Sequence, residues 1–499
     1  MRGRVAVPTS VDSEKRSVIS GLFWKFGERA LAQVVSFVVS LVLARLLTPS
    51  EYGVVAMVLV FIALADVFAG SGFATGLIQK KDADERDFST MFYCSLACSV
   101  LLYGVIFACA PAIAGFYSEP SLVLILRVFA LRIPLSAVNA IQHAYVSRHM
   151  LFKRFFYSTL VGAVVSGVVG IVLALLGFGV WALIAQYFVN TMMDAVVLFC
   201  TVPWRPRLLF SASSAKGLMR YGWKVLAADL SGTFFGQLRS LVVGKAYTPV
   251  DLAFYNRGQQ VPNLVMSNVG SALMSVLFPA MSNHADDPAK VKAYCRRSYQ
   301  ALSYLIAPFL MGMAAVAVPL VDVLFSSKWL ESVPFLQIMC IDCIIGTLSV
   351  VSLQAIKAIG RSDVVLKLEF IKKPVYVVLL FAGMMVNVYA VAITMVVYEV
   401  YGAIVNMIQL GKHLNYSVVE QLRDIMPAIA LSSLMALVVL VVPVPGSSIL
   451  ALTLKIAIGA SMYIGLSALT KNEAFGYTFR MMKAYLNDRA NDDVERKPL

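Results

Sequence analysis

The feature of this chain that most constrains its fold is an alternation of long apolar stretches with short gaps. About fourteen such stretches follow one another between residues 19 and 469. A helix needs about 20 apolar residues to cross a hydrocarbon core of about 30 Å. Only 14% of the residues are charged, whereas 59% are hydrophobic. The pattern predicts an all-α polytopic membrane protein with about 14 transmembrane helices and excludes a soluble fold.

The first stretch is too long for a secretory signal peptide and no small-residue cleavage site follows it, so it is predicted to be a retained span. The predicted spans are 19–47, 52–79, 89–115, 121–147, 155–176, 179–201, 217–246, 256–281, 298–318, 330–356, 363–383, 387–411, 424–442 and 447–469.

Lys and Arg occupy every second gap between the spans. The basic gaps and the two basic tails alternate with the gaps at 48–51, 111–120, 177–179, 384–386 and 443–446, which hold no Lys or Arg. The gap near residue 326 holds only Lys328. The positive-inside rule therefore predicts a bacterial inner-membrane protein with both termini in the cytoplasm. The alternation also accounts for most of the net charge of +14, so contact with membrane lipid explains it and nucleic acid is not a predicted partner.

The chain contains an internal repeat. Residues 48–52 (TPSEY) align with residues 248–252 (TPVDL), and 179–183 (GVWAL) align with 387–391 (NVYAV). Spans 1–6 and 7–12 are therefore predicted to form two parallel six-helix lobes, a transporter plan with the substrate site at the lobe interface near the midplane. The predicted division is a cytoplasmic tail 1–18, an N-lobe 19–201, a cytoplasmic linker 202–216, a C-lobe 217–411, two extra helices in 412–469 and a cytoplasmic tail 470–499.

The sequence gives little room for catalysis. No segment between spans is long enough to fold a catalytic domain, and no phosphate-binding loop, zinc-protease motif or nucleophile elbow is present. A membrane polymerase or ligase would need a reactive group on an external loop, and none is visible. Cys340 and Cys343 form a C-x-x-C inside a span without a second ligand pair, which favours packing over a metal site. The chain is predicted not to be an enzyme, with no metal.

Four segments resemble a known family: 44–53 (ARLLTPSEYG), 76–81 (GLIQKK), 176–183 (LGFGVWAL) and 203–206 (PWRP). They are similar to the oligosaccharide flippase family, close to its lipopolysaccharide and exopolysaccharide biosynthesis branch. That family belongs to the superfamily of MATE-type multidrug exporters and lipid II flippases. The resemblance extends over residues 18–215 and more loosely to 420.

The resemblance implies a transport function. It implies movement of undecaprenyl-pyrophosphate-linked oligosaccharide from the cytoplasmic to the periplasmic leaflet by alternating access, for exopolysaccharide, capsule or O-antigen assembly. It also implies a polysaccharide polymerase and export machinery as partners. A multidrug or metabolite antiporter on the same fold is the alternative. Cationic drugs require an acidic and aromatic cavity, whereas this chain places more basic than acidic candidates in its two lobes.

A diphosphate headgroup requires cations that face a wet cavity, and ionisable residues within spans mark such paths. The candidates for substrate binding are Arg45, Arg127, Arg132, Arg239, Lys245 and Arg257. Arg239 is favoured because it lies about 10 Å inside its span from Ala246, too deep to reach the surface easily. Arg45 and Lys245 have the alternative of extending to the outer rim. Arg127 and Arg132 are about 140° apart on a helix, so we expect only one of them to face a narrow cavity.

Acidic residues within spans are candidates for ion coupling. Asp66, Asp194 and Glu399 lack a basic neighbour at helical spacing and are the candidates for binding a coupling H⁺ or Na⁺, the only cofactor the sequence suggests, or for another role in the cavity. An internal ion pair is the alternative for each of them. For Glu369, an ion pair with Lys372 or Lys373 one turn away is the favoured interpretation. The sequence does not identify the sugars of the substrate.

Overall fold

The computed structural model describes residues 31–470, without the side chains of Phe152 and of residues 269–276. The predicted tails 1–18 and 471–499, and the first part of span 1, lie outside this range. Every regular element in the described range is a helix, which confirms the predicted all-α membrane fold. The chain divides into two compact units, Met1–Ala253 and Phe254–Leu499.

The first unit contains eight described helices and the start of a ninth. They are α1 (Leu31–Leu46), α2 (Pro49–Gln79), α3 (Glu85–Tyr117), α4 (Leu122–Phe129), α5 (Arg132–Arg148), α6 (Phe152–Leu175), α7 (Val180–Thr201) and α8 (Ala212–Ala246). The segment between α7 and α8 was predicted as a linker. Its Trp204 is buried and packs against Phe88 and Phe92 of α3, so this segment is part of the first unit's core.

The second unit comprises most of α9 and all later helices. They are α9 (Pro249–Ser282), α10 (Pro288–Ala315), α11 (Ala317–Phe325), a 3₁₀ turn (Ser327–Ser332), α12 (Val333–Ala358), α13 (Ser362–Met384), α14 (Val388–Leu414), α15 (Val418–Val441) and α16 (Ser448–Leu469). Buried hydrogen bonds tie these helices together. The Tyr299 hydroxyl of α10 donates to Gln421 of α15 at 3.3 Å, and the Gln421 amide donates to the Met407 carbonyl of α14 at 3.0 Å.

The structure refines several predicted spans. Span 4 is broken at Ala130 and Leu131 into α4 and α5, and α3 continues through Pro111 to Tyr117, two residues beyond the predicted span 89–115. Span 9 is longer than predicted and consists of two helices, α10 and α11, which meet at a bend of 76°. In the described range, nine helices are long and apolar enough to span a membrane, or ten if the bent pair is one span. The count of fourteen therefore stays a prediction.

The two segments aligned by the repeat begin their helices in the same way. The Thr48 hydroxyl donates to the Glu51 carboxylate at 2.9 Å and accepts from the Glu51 amide at 3.4 Å. The Thr248 hydroxyl makes the equivalent bonds to Asp251 at 2.7 and 3.1 Å. Such capping boxes satisfy backbone N–H groups that have no partner in the first turn of a helix. The matched residues therefore form matched local structure at the starts of α2 and α9.

Helices α2 and α8 pack closely through glycines. A Cβ atom at Gly72 would lie 3.0 Å from the Gly222 carbonyl oxygen, and one at Gly222 would overlap the Gly72 backbone. Near the other end of α2, a side chain at Gly53 would overlap the Pro249 backbone. Only glycine allows backbones to approach this closely. Helix α8 thus packs within the first unit, although the repeat counts it as the first helix of the second lobe, a division that stays a prediction.

Candidate functional site

A polar cleft lies between α2, α5 and α7 of the first unit. At one end, Arg132 of α5 forms an ion pair with Asp66 of α2, with 3.3 Å between the guanidinium nitrogen and the carboxylate oxygen. The Arg132 Nε also donates to the Thr191 hydroxyl of α7 at 2.7 Å. The two charged side chains are 22% and 27% exposed. Arg132 therefore links all three helices and has its charge balanced.

A second polar pair lies further along the same cleft. The His143 Nε2 of α5 and the Asp194 Oδ2 of α7 are 2.8 Å apart, and the imidazole ring stacks on Phe155 at 4.8 Å. Between the two pairs, the Asn139 amide donates to the Thr191 carbonyl at 2.9 Å. The pairs are thus joined by one short polar path along α5 and α7.

Two acceptor atoms in the lining of this cleft, the Oδ1 of Asn139 and the Oδ1 of Asp194, have no hydrogen-bond partner among the described residues. The Oδ1 of Asp66, beside Arg132, has none among them either. Asn139 is 5% exposed, so water reaches this amide poorly. Buried polar atoms nearly always have a partner in folded proteins, so such atoms require an explanation.

The cleft has the size and lining of a small-ligand site. Its volume is about 430 Å³, and its wall contains Arg132, Ser136, Asn139, His143, Thr191 and Asp194. Ligand sites in proteins are about 300–1,000 Å³ and place a few polar groups at defined positions. Three of the sequence candidates, Asp66, Arg132 and Asp194, are therefore brought together at one cleft. Their assigned roles stay predictions.

The sequence analysis missed His143, Asn139 and Thr191. A signal was present on α5, where Arg132, Ser136, Asn139 and His143 recur at steps of four, three and four residues. At about 100° per residue these positions lie within about 60° of one another, which makes one polar face on an otherwise apolar helix. The part of the cleft formed by α7 could not be predicted from such a pattern, because Thr191 and Asp194 do not belong to a polar face that continues along the helix.

The other basic candidates of the first unit occupy different surroundings. The Arg127 guanidinium lies over the Phe107 ring at 4.3 Å and donates to the Phe107 carbonyl, so it packs on α3. Lys245, at the end of α8, donates to the Phe116 carbonyl near the end of α3 and lies over that ring at 5.0 Å. A cation is favoured at a helix C-terminus by the helix dipole. Arg45 is exposed near the end of α1.

Helix α8 presents a row of cations. Lys216, Arg220 and Lys224 follow one another at four-residue intervals, and all three are exposed. Arg239, the favoured candidate, is half-buried and lies about 60° around the helix from Lys224. Lys216, Arg220 and Lys224 cover about 12 Å at the start of α8, and Arg239 lies about 22 Å further along at 1.5 Å per residue. No Lys or Arg lies between Lys224 and Arg239 on this helix.

Charged candidates in the second unit are more enclosed. Arg257 is 5% exposed and lies between the rings of Phe325 and Trp329, at 4.8 and 4.6 Å from their centroids. Its guanidinium donates to the Gln260 amide oxygen at 2.6 Å. The structure therefore places Arg257 inside an aromatic contact, and its predicted role in substrate binding stays untested.

The acidic candidate Glu399 belongs to a cluster on α12, α13 and α14. Lys372 forms an ion pair with Glu369 at 3.0 Å, the pairing that their spacing favoured. The Lys372 side chain is 8% exposed. Glu399 of α14 interacts electrostatically with Lys372 and with Asp342 of α12. The cluster thus brings the carboxyl groups of Asp342, Glu369 and Glu399 near the Lys372 ammonium.

A second cavity of about 430 Å³ lies in the second unit between α10, α11, α15 and α16. Its lining is apolar and includes Leu305, Phe309, Met435, Val439 and Ile456, with Lys455 as the one charged residue. Such a wall offers a ligand almost no hydrogen bonds, so it is suited to contact with a hydrocarbon chain.

Residues 31–470 contain no group of His, Cys, Asp and Glu arranged to hold a metal ion. Cys340 and Cys343 are free, fully buried thiols of α12. The packing interpretation of this C-x-x-C agrees with their burial.

The helical architecture defines a multi-pass membrane protein with a charged cleft among its helices. A solved structure of the lipid II flippase MurJ in an inward closed conformation superposes with a TM-score of 0.72 at 12% identity, over 91% of this chain and 98% of that one. An inward-facing multidrug resistance MATE transporter of the MOP superfamily gives 0.55 at 16% identity, over 80% and 94%. At these identities the likeness shows a shared fold.

Sequence comparison places the chain more narrowly. The model of the polysaccharide biosynthesis protein family matches residues 42–334, more than half of the chain, so the chain belongs to that family. The succinoglycan biosynthesis transport protein ExoT of Rhizobium meliloti (strain 1021) is 26% identical over 352 residues, covering 70% of this chain and 71% of ExoT. The family resemblance predicted from the four sequence segments is confirmed.

Proposed function

We propose that this protein is a flippase that moves undecaprenyl-pyrophosphate-linked oligosaccharide from the cytoplasmic to the periplasmic leaflet of a bacterial inner membrane. Membership of the polysaccharide biosynthesis family supports a role in exopolysaccharide, capsule or O-antigen assembly. The similarity to a succinoglycan transport protein and the fold shared with a lipid II flippase support transport of a lipid-linked sugar. The chain acts as a transporter and not as an enzyme.

The observation that carries this proposal is the polar cleft inside a unit of apolar helices. A sugar diphosphate cannot cross hydrocarbon unaided, since transfer of an isolated ion to low dielectric costs on the order of 20 kcal/mol in the idealised limit. Intramembrane charges such as Arg132 and Asp194 mark a water-filled or substrate-filled path by default. The cleft supplies polar surroundings for the sugar part of the headgroup during transfer.

The cationic row of α8 supplies the charge that a diphosphate needs. Arg grips phosphate oxygens with a planar fork, and Lys acts as a point charge. Lys216, Arg220 and Lys224 are exposed at the end of α8 that the charge pattern assigns to the cytoplasm. Arg239 lies nearer the other end. The diphosphate is proposed to bind the three cations at the start of α8 in one state of the transport cycle and Arg239 in another.

The apolar cavity of the second unit suits the remaining part of such a substrate. Its walls of Leu305, Phe309 and Met435 can contact a hydrocarbon chain without loss of hydrogen bonds. Asp66, Asp194 and Glu399 stay the proposed sites of a coupling H⁺ or Na⁺. A polysaccharide polymerase and export machinery are the proposed partners, with both termini in the cytoplasm.

Transport is tested with purified protein in proteoliposomes that contain an undecaprenyl-pyrophosphate oligosaccharide. A membrane-impermeant glycosidase reports how much substrate reaches the outer leaflet. Wild type should expose the internal pool, whereas empty vesicles should not. Arg239→Ala should slow the initial rate at least tenfold, equivalent to about 1.4 kcal/mol, because a phosphate contact is lost. Arg86→Ala removes the same charge from an exposed position in the first turn of α3 and should leave the rate within about twofold.

The proposal fails if folded wild-type protein exposes no more substrate than empty vesicles under imposed proton and sodium gradients. The antiporter alternative is tested in the same vesicles with ethidium as a cationic drug. Gradient-driven ethidium movement without oligosaccharide movement would reverse the ranking of the two functions.

A further inference from the structure

We infer that the cleft between α2, α5 and α7 binds hydroxyl groups of the sugar attached to the diphosphate, and not the diphosphate itself. The inference rests on the proposed flippase function and assigns one part of that substrate to this site. It names Asn139 and Asp194 as residues that determine sugar specificity. Binding of the phosphates is left to cations elsewhere, such as the row on α8.

The charges of the cleft argue against an anion. Arg132 is the only Arg or Lys in the described lining, and Asp66 balances its charge at 3.3 Å. Asp194 adds a negative charge opposite His143. The cleft thus sets two carboxylates against one guanidinium and one imidazole, so it offers a diphosphate no excess of positive charge. A neutral sugar needs none.

The unpaired acceptors argue for a ligand that donates hydrogen bonds. The Oδ1 atoms of Asn139 and Asp194 each lack a partner in the described part of the chain, and both belong to residues of the cleft wall. Asn139 is 5% exposed, and its side-chain nitrogen already donates a hydrogen bond to the Thr191 carbonyl. Its oxygen is therefore held in one orientation. Carboxylate and amide oxygens accept hydrogen bonds from hydroxyl groups, the main donors of a carbohydrate.

The arrangement is also selective in principle. A site built to hydrogen-bond a hydroxyl discriminates strongly against a ligand without it, because the buried polar groups of the site are then left unpaired. His143 contacts Oδ2 of Asp194, and the Thr191 carbonyl accepts from the Asn139 amide, so both side chains that carry the free acceptors are held in place. This assignment differs from the ion-coupling role that the sequence suggested for Asp194, and the experiment separates the two.

The test compares probes that share one diphosphate and differ in the sugar. Full-length protein in nanodiscs is titrated with farnesyl diphosphate and with farnesyl diphosphate that carries glucose, galactose or N-acetylglucosamine. Wild type should bind at least one glycosylated probe at least tenfold more tightly than farnesyl diphosphate. Asp194→Asn and Asn139→Leu should each reduce this preference to threefold or less, with the Kd for farnesyl diphosphate unchanged. That unchanged Kd also shows that the variants are folded.

Asp82→Asn is the matched control, since it makes the same chemical change at an exposed loop residue of the first unit. It should retain the full preference. If Asn139→Leu does not fold, the nearly isosteric Asp194→Asn decides alone.

Three outcomes overturn the inference. Wild type may bind all four probes equally, in which case transport in proteoliposomes shows that the flippase function stands without this site. Asp194→Asn could weaken every probe alike, which would place the diphosphate in the cleft. It could also keep the sugar preference while transport loses its dependence on the ion gradient, which would make Asp194 a coupling residue. Failure of wild type both to bind and to transport would reject the proposed function itself.

Discussion

The two cavities of this protein have the same volume, about 430 Å³, and opposite linings. The first unit surrounds its cavity with Arg132, Asn139 and Asp194, whereas the second surrounds its cavity with side chains such as Leu305 and Met435. Helix packing therefore leaves similar space in both units. The side chains that face this space decide whether its wall is polar or apolar.

The contrast follows from one helical spacing used with different residues. On α5 the cavity positions are Arg132, Ser136 and Asn139, and on α10 they are Leu305, Phe309 and Gly312. Both sets have steps of four and three residues, which bring side chains to one face of a helix. A polar face and an apolar face thus arise from the same geometry.

The largest expected effect comes from a charge in the apolar cavity. Met435 of α15 is 3% exposed and lines this cavity. Met435→Asp should lower the free energy of unfolding by about 3–5 kcal/mol, because a carboxylate would be buried without a partner. Met435→Leu conserves volume and should cost less than about 1.5 kcal/mol. Chemical denaturation in detergent measures both, and equal stability of the two variants would show that the cavity is wet.

A smaller effect is expected at the ion pair of the polar cleft. Asp66→Asn and Arg132→Gln should each cost about 1–3 kcal/mol, because each leaves a partly buried charge without its partner. The double variant should cost clearly less than the sum of the single variants. The same denaturation measurement gives the coupling energy. Additive effects would mean that the two charges act independently and that Arg132 is available to an anion.

The smallest effect is expected at the starts of α2 and α9, where the two aligned segments make equivalent capping hydrogen bonds. Thr48→Ala and Thr248→Ala should each cost about 1 kcal/mol, since each removes a helix cap. Thr→Ser at either position keeps the hydroxyl and should cost less. The two losses should agree within about 0.5 kcal/mol. Unequal values from denaturation would show that the surroundings of the caps, and not only their hydrogen bonds, have diverged between the repeats.

The sequence predicted the fold well where hydropathy alone decides. The helix starts at Gly179 and Asn387 agree with the structure within a residue, because turn-forming residues there separate strongly apolar segments. The break at Ala130 and Leu131 was not predictable, since both residues are compatible with a continuous helix. The predicted span 89–115 already contained Pro111, and α3 continues through it, because neighbouring helices can compensate a proline in a membrane helix.

The candidate site was predicted in part. Charge inside apolar segments singled out Asp66, Arg132 and Asp194, which the structure brings to one cleft. Uncharged partners such as Asn139 and Thr191 resemble ordinary packing residues in a sequence, so their role depends on which helices become neighbours. The surroundings of Arg257 were not predictable either, because nothing in its local sequence indicates contact with two aromatic rings that lie about 70 residues further along the chain.

The close packing of α2 and α8 through Gly72 and Gly222 bears on the ancestry of this protein. If the two halves arose by gene duplication, the ancestral polypeptide had six helices and no α8 of its own to cover the glycine face of α2. A second copy of the ancestor would have had to supply its first helix in that place. The ancestor is therefore expected to have been an obligate dimer with exchanged helices, and fusion of the two genes would have made this exchange permanent within one chain.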